Sequence, residues 1–188
     1  MSKFKFGVLV PTGGVVTARL GSAANAGGNF TDKENGKFVK LVGDSQYGAV
    51  AAADPINGVI AALEPATVDG WTIGSVQTEG RVSCICDGLE ATPGTGTIAV
   101  GNYIVAGTVV AKGTALTTGP KVCKATNQPG VAIVSTVGSA DTAAAIKTQI
   151  DAVLVKVASA QANTLAAWKV VSLGNAGAVG DTCVIELC

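Results

Sequence analysis

Three observations predict a mainly β chain, a small barrel or sandwich with an extended N-terminal arm and one inserted α-helix. Short runs of valine, isoleucine and leucine recur between turn residues at the spacing of about 8–12 residues typical of sandwiches and barrels. Residues 1–36 differ from the rest, with small residues dominating after Leu20. A single stretch after Ser139 carries apolar residues at helical steps. At 188 residues the chain has room for one full core plus an arm, so a single domain spanning 37–188 is expected behind an arm at 1–36.

Within the arm, "FKFGVLV" can form one strand, and glycine, alanine, serine and asparagine dominate after Leu20. Thr31 to Gly36 reads as a turn. Such a segment of small residues is either a flexible tail or an extended arm that becomes ordered by lying on a neighbouring subunit, and the arm is expected here. The residues expected to make that contact, because they lie outside the predicted β-body, are Phe4, Phe6, Val8 and Val10, followed by Arg19 and Phe30.

From Lys37 the strands follow in order. "KFVKLVG", "GVIAAL", "TIGSVQTEG" and "RVSCICDG" come first, then "GTIAVGNYIVAG" as a hairpin-like pair turning at Gly101-Asn102. "TVVAKG", "KVCKAT" and "GVAIVSTV" complete the series, with Asp54-Pro55, Asp87-Gly88 and Gln128-Pro129-Gly130 in the intervening turns. A helical insertion is expected at about 139–167. Ile146, Ile150, Val153 and Val157 recur at steps of four, three and four from Asp141 to about Leu165. Ser139 or Asp141 can cap it, a contribution of about 1 kcal/mol. Its stripe of β-branched residues should pack on the β-body or on its copy in a neighbour. Trp168 then anchors the closing strands to the core.

Composition narrows the function. Thirteen basic residues balance thirteen acidic ones, so no global field draws a phosphate backbone, and nucleic acid is not an expected partner. Charged residues make up 14% of the chain against about 25% in ordinary domains, which favours a protein that buries its outside against neighbours. The chain has no histidine, the commonest general base and metal ligand. The cysteines Cys84, Cys86, Cys123, Cys183 and Cys188 are odd in number and lack paired zinc spacing, so they suit a reducing compartment and small core positions.

Glycine-rich stretches fail the tests for phosphate sites: "GGNFTDKENGKF" has Thr31 where a P-loop needs glycine and Phe38 where it needs a hydroxyl. "PGTGTIAVG" leads into a strand, with no helix to bind an anion. The carboxylates Glu34, Glu64, Glu79 and Glu90 are scattered, so no catalytic residue, cofactor or metal is expected. No apolar run reaches the roughly 20 residues of a membrane span. The start imitates a signal peptide, but Pro11 to Gly14 break its apolar part and Arg19 follows, so export is not expected.

The segment from Asn35 to Gly88, continued by "GTGTIAVGNYIVAGTVVAKGTAL", resembles the small decoration or cement proteins of tailed-bacteriophage heads. The likeness rests on Phe38 to Gly43, Asp54 to Val59, Ser75 to Ile85 and Thr97 to Val105, about the middle half of the chain. It implies a tulip-like β-fold and a homotrimer on the outer capsid surface, made in the host cytoplasm and bound to the major capsid protein through an N-terminal arm. The inserted helix and the cysteines depart from that pattern. Rival expectations are a tail-tube or exported pilus-like subunit, and a small carbohydrate-binding barrel using Trp71, Trp168, Tyr47 and Tyr103 as stacking faces.

Overall fold

The computed structural model describes residues 14–21, 30–43, 46–64, 72–126, 128, 142–165 and 168–187. The expected strands "FKFGVLV" and "GVAIVSTV" lie outside them, as do Phe4, Phe6, Val8 and Val10. Over these residues the protein is mainly β, with a five-stranded closed barrel, a second sheet and one α-helix.

The barrel is made by β1 (Val15–Leu20), β2 (Phe38–Gly43), β3 (Gln46–Ala49), β4 (Gly58–Glu64) and β5 (Thr72–Gln77). Around it they run in the order β1, β3, β2, β4, β5, and β5 closes antiparallel onto β1 from Val15↔Gln77 to Leu20↔Thr72. Only the β1–β3 pair is parallel. Closure removes sheet edges, which a chain so poor in charge would otherwise have to protect from pairing with other chains. Alternation sets the inside: Ala18 and Leu20 of β1 meet Val39, Ile60 and Val76, and Phe30 joins them. Gly74 is required there, because a Cβ would lie 2.4 Å from the Ala62 carbonyl oxygen.

Within the span expected as arm, Val15–Leu20 is a barrel strand, because its alternate residues Ala18 and Leu20 fit the closed core. A 3-10 turn at Asp32–Glu34 leads into β2.

The second sheet has β6 (Arg81–Leu89) at its centre. Its partners are β7 (Thr92–Pro93), β8 (Ile104–Ala106), β9 (Lys121–Lys124), β10 (Trp168–Leu173) and β11 (Thr182–Leu187). The order is β10, β11, β6, β9, β8, with β7 paired to β6 alone. Its two outer strands come together through the antiparallel bridge Tyr103↔Lys169, reinforced by the Gly101 N–H to the Val170 carbonyl at 2.8 Å and the Val170 N–H to the Asn102 carbonyl at 3.0 Å.

That bridge explains why the hairpin expected at 96–107 does not form. Residues 99–102 do turn, with the Ala99 N–H held by the Asn102 side chain at 2.8 Å and Gly101 at φ 89°. The two arms then splay: Thr97 pairs with Ala178, and Tyr103 with Lys169. "TVVAKG" is likewise an irregular loop, since its backbone is taken up by side chains of other elements.

One apolar core joins the two sheets. Phe38, Ile56 and Val59 from the barrel side pack with Val82, Cys84, Ile104, Trp168, Val170 and Ile185 of the second sheet. Trp168 is 1% exposed, the anchor it was expected to be. The helix α1 (Ala143–Leu165) forms where its periodicity places it, and among the described residues no strand packs substantially against it.

Candidate functional site

The densest polar arrangement among the described residues lies where the loop 107–120 crosses the junction of the two sheets. Glu34, 2% exposed, sits on the 3-10 turn and takes hydrogen bonds from the Thr31 N–H at 2.6 Å, the Thr31 hydroxyl at 2.8 Å and the Gly113 N–H at 2.5 Å. Lys37 lies 3.4 Å from the same carboxylate and donates to the Ala111 carbonyl at 2.9 Å. Burial opposes the charge on Glu34. The Gly113 and Thr31 donors and the Lys37 ammonium outweigh it, and the carboxyl is held below its ordinary value.

Asp87 of β6 repeats the device at the other end of the loop. It accepts from the Thr108 N–H at 2.7 Å and pairs with Lys121 at 3.2 Å. Burial again raises its pKa, the Thr108 and Lys121 contacts lower it by more, and the net direction is down. The two carboxylates are thus ionised clamps that fasten one loop to the barrel and to the second sheet. Their donors occupy the oxygens a proton-transfer role would need.

Under the loop is a cleft of about 70 Å³ lined mainly by Phe38, Ala49, Val50, Leu116 and Pro120. That is far below the roughly 300–1,000 Å³ of a small-molecule site. Val109 and Val110, 43% and 38% exposed, stand at its lip.

The thiols are inward. Cys84 and Cys183 are directly opposed in the β6–β11 register, and Cys86 lies in the same buried cluster. Burial pushes all three up, with the neighbouring sulfurs adding to it at Cys84 and Cys183, and Cys123 is pushed up to about 11. Neutral, enclosed thiols are poor nucleophiles. Among the described residues, no three or more cysteine, aspartate or glutamate side chains are grouped to hold a metal ion.

Of the contact residues expected from sequence, Arg19 and Phe30 are described, and the structure separates them. Arg19 points outward from β1, exposed between two buried neighbours. Phe30 is 6% exposed and belongs to the barrel interior, its carbonyl held by the Thr72 hydroxyl at 2.9 Å. Its ring is a core residue in this chain and not a surface anchor, because closing the barrel leaves an apolar space that the ring fills.

The Glu34 and Asp87 clamps were not read from sequence; the visible signal at Asp87 was a carboxylate in the apolar run of β6, and at Glu34 its place three residues after Thr31, the spacing of a capping box. Exposed apolar side chains are the other surface feature: Val15, Val16, Leu41 and Val42 on the barrel, Val100 and Val179 on the second sheet, Ile150, Leu154 and Val155 on α1.

Comparison of the chain with protein-family models, with curated proteins and with solved structures finds no match.

Proposed function

We propose that this protein is a structural virion subunit that binds the outer surface of a tailed-phage head as a homotrimer. In this reading it bridges neighbouring major capsid protein subunits and acts without a cofactor, a metal or a catalytic step. The observation that carries it is the resemblance over Phe38 to Val105, whose segments supply β2, β4, β5 and β6 and the turn that closes the second sheet. A body with its edges paired and its loop clamped by buried carboxylates suits a wedge that must transmit load without opening. The scattered exposed valines and leucines supply apolar surface for contact with neighbours. Many such contacts, each of order 1,000 Å² or more, act together on a closed shell.

The carbohydrate-binding alternative has less to rest on. Trp168 is 1% exposed, and Lys169 stands 5.9 Å over the Tyr103 ring, occupying one of its faces.

Co-sedimentation with undecorated phage heads tests the reading. The intact chain should bind saturably, and a chain lacking residues 1–13 should bind at least about tenfold more weakly, since the arm is the expected clasp. Failure of the intact chain to bind any tailed-phage head would remove the proposal, and rings or filaments in solution would put a tail-tube subunit in its place.

A further inference from the structure

We infer that the barrel and the second sheet are two copies of one five-stranded barrel joined in tandem, and that the longer connections 108–120 and 125–167 are additions to the second copy. Nothing in this depends on what the chain binds.

With the two-residue β7 set aside, each sheet has five strands, and their order in space is the same. Around the first it runs β1, β3, β2, β4, β5, and around the second β6, β9, β8, β10, β11. In both, the first strand lies antiparallel to the fifth, from Val15↔Gln77 in one and Arg81↔Glu186 in the other. In both, the first and third strands are the parallel neighbours. Order alone is weak support, because short uncrossed connections leave few ways to close five strands. Register decides.

Along β4 and β5, Val59↔Gln77 and Ile60↔Val76 are followed by a bulge at Ala61 and then Ala62↔Ser75. Along β10 and β11, Lys169↔Glu186 and Val170↔Ile185 are followed by a bulge at Val171 and then Ser172↔Val184. The seam between second and fourth strands repeats as well. The Gly36 N–H reaches the Ile60 carbonyl at 2.8 Å and the Ile60 N–H the Lys37 carbonyl at 3.0 Å; the counterparts are Gly101 to Val170 at 2.8 Å and Val170 to Asn102 at 3.0 Å. Gly36 and Gly101 both stand at positive φ, 82° and 89°. Closing a barrel does not demand a bulge at this one place, so its recurrence on the same seam marks a shared design.

The interiors correspond under the same alignment. Ala18, Leu20, Val39, Ile60 and Val76 fill the first barrel, and their counterparts Cys84, Cys86, Ile104, Val170 and Ile185 are all buried in the core of the second. Two of the thiols are then exchanges of size. Leu20 fits because Gly74 has no side chain: a Cβ there would lie 2.5 Å from the Leu20 Cδ1. In the second copy Cys86 takes the place of Leu20 and Cys183 that of Gly74, one side chain shrinking as the other grows, so the filled volume changes little.

The copies differ in length at both ends of the third strand. Residues 44–45 lead from β2 to β3, whereas 108–120 lead from Gly107, bonded to the Lys121 carbonyl at 2.9 Å, to β9. The bulge at Val42 in β2 has no counterpart in β8, where this longer connection leaves. Residues 50–57 separate β3 from β4, and 125–167 separate β9 from β10. The clamped loop and α1 are thus additions to a fold that the first copy closes without them.

Two measurements on the full chain test the inference. Cross-strand NMR contacts of the wild type should place bulges at Ala61 and Val171 and pair β6 parallel with β9. A double-mutant cycle then reads the core by urea midpoint at matched protein concentration. Cys86→Leu should overpack against Cys183, and Cys183→Gly should leave a void. The two together rebuild the arrangement of the first copy and should recover at least about half of the summed midpoint loss. A folded double variant where a single one does not fold is the same recovery. A β10 bulge at another residue, an antiparallel β6–β9 pair, midpoint losses that simply add, or a double variant that stays unfolded overturns the inference. Binding to phage heads, found or not, bears on the proposed function alone.

Discussion

Glu34 shows what a single side chain contributes here. Its carboxylate satisfies two backbone N–H groups from different parts of the chain, so Glu34→Gln, which turns an amide toward donors, should cost about 2–4 kcal/mol in urea unfolding. The pH dependence has a definite sign. Because the folded pKa is depressed, the stabilisation is fully present above the unfolded value of roughly 4.3 and is lost as pH falls through the lower folded value. Glu34→Gln should therefore flatten the acid limb of the stability profile, and an unchanged limb would mean that other carboxylates carry it. Gly88, at φ +87°, is equally specific: a Cβ there would lie 2.0 Å from the Thr95 carbonyl oxygen, so Gly88→Ala should lower stability by about 3 kcal/mol or more. The thiols give a third check at this scale. With Cys84, Cys86, Cys123 and Cys183 buried, native protein at pH 8 should react with a thiol reagent at no more than one of its five cysteines, and at all five in denaturant. Rapid labelling of two or more would contradict the burial of these four thiols.

At the scale of elements, what could be read from sequence follows from how locally each element is determined. β2, β4, β5, β6 and β9 carry their own alternation or β-branched runs, and α1 its own period, so each was visible within a window of its own length. Gln46–Ala49 was not. It has no β-branched residue and becomes a strand because β1 and β2 flank it on both sides. Val15–Leu20 looked like arm because β5 and β3, the partners that make it a strand, are more than 20 residues away. Thr97 to Tyr103 had hairpin grammar, and tertiary pairing to Ala178 and Lys169 overrode it. The clamps were hidden for a related reason: a carboxylate's partners in space are loop N–H groups, which sequence does not reveal. α1 stands at the opposite extreme, local in its formation, and among the described residues no strand makes substantial contact with it. Replacing residues 142–166 with a glycine-serine linker should leave the urea midpoint of the monomeric β-body within about 1 kcal/mol of wild type. A larger loss would show that the helix braces the sheets.

On the scale of the whole molecule the question is whether barrel and second sheet are one cooperative unit. They share a core in which Phe38 and Val59 of the barrel touch the cluster around Trp168 and Ile185. They also share backbone bonds, the Ala53 N–H to the Ala106 carbonyl at 2.8 Å and the Ala106 N–H to the Asp54 carbonyl at 3.0 Å, and the loop 107–120 is clamped to both. Opening either half would expose apolar surface of the other at about 25 cal/mol per Å² and leave buried donors without acceptors, so partial unfolding should be suppressed. Ile60→Ala tests this from a distance. Ile60 is 1% exposed and belongs to the barrel's own cluster, so its truncation should cost about 2–5 kcal/mol. Trp168 reports from the second sheet, and in a Trp71→Phe background its fluorescence is the only tryptophan signal. If the molecule is one unit, Ile60→Ala shifts the Trp168 transition by the full amount, coincident with far-UV circular dichroism at matched protein concentration. A Trp168 midpoint that stays in place while circular dichroism moves would make barrel and sheet two separately folding bodies, with the shared contacts of Phe38 and Val59 too weak to couple them.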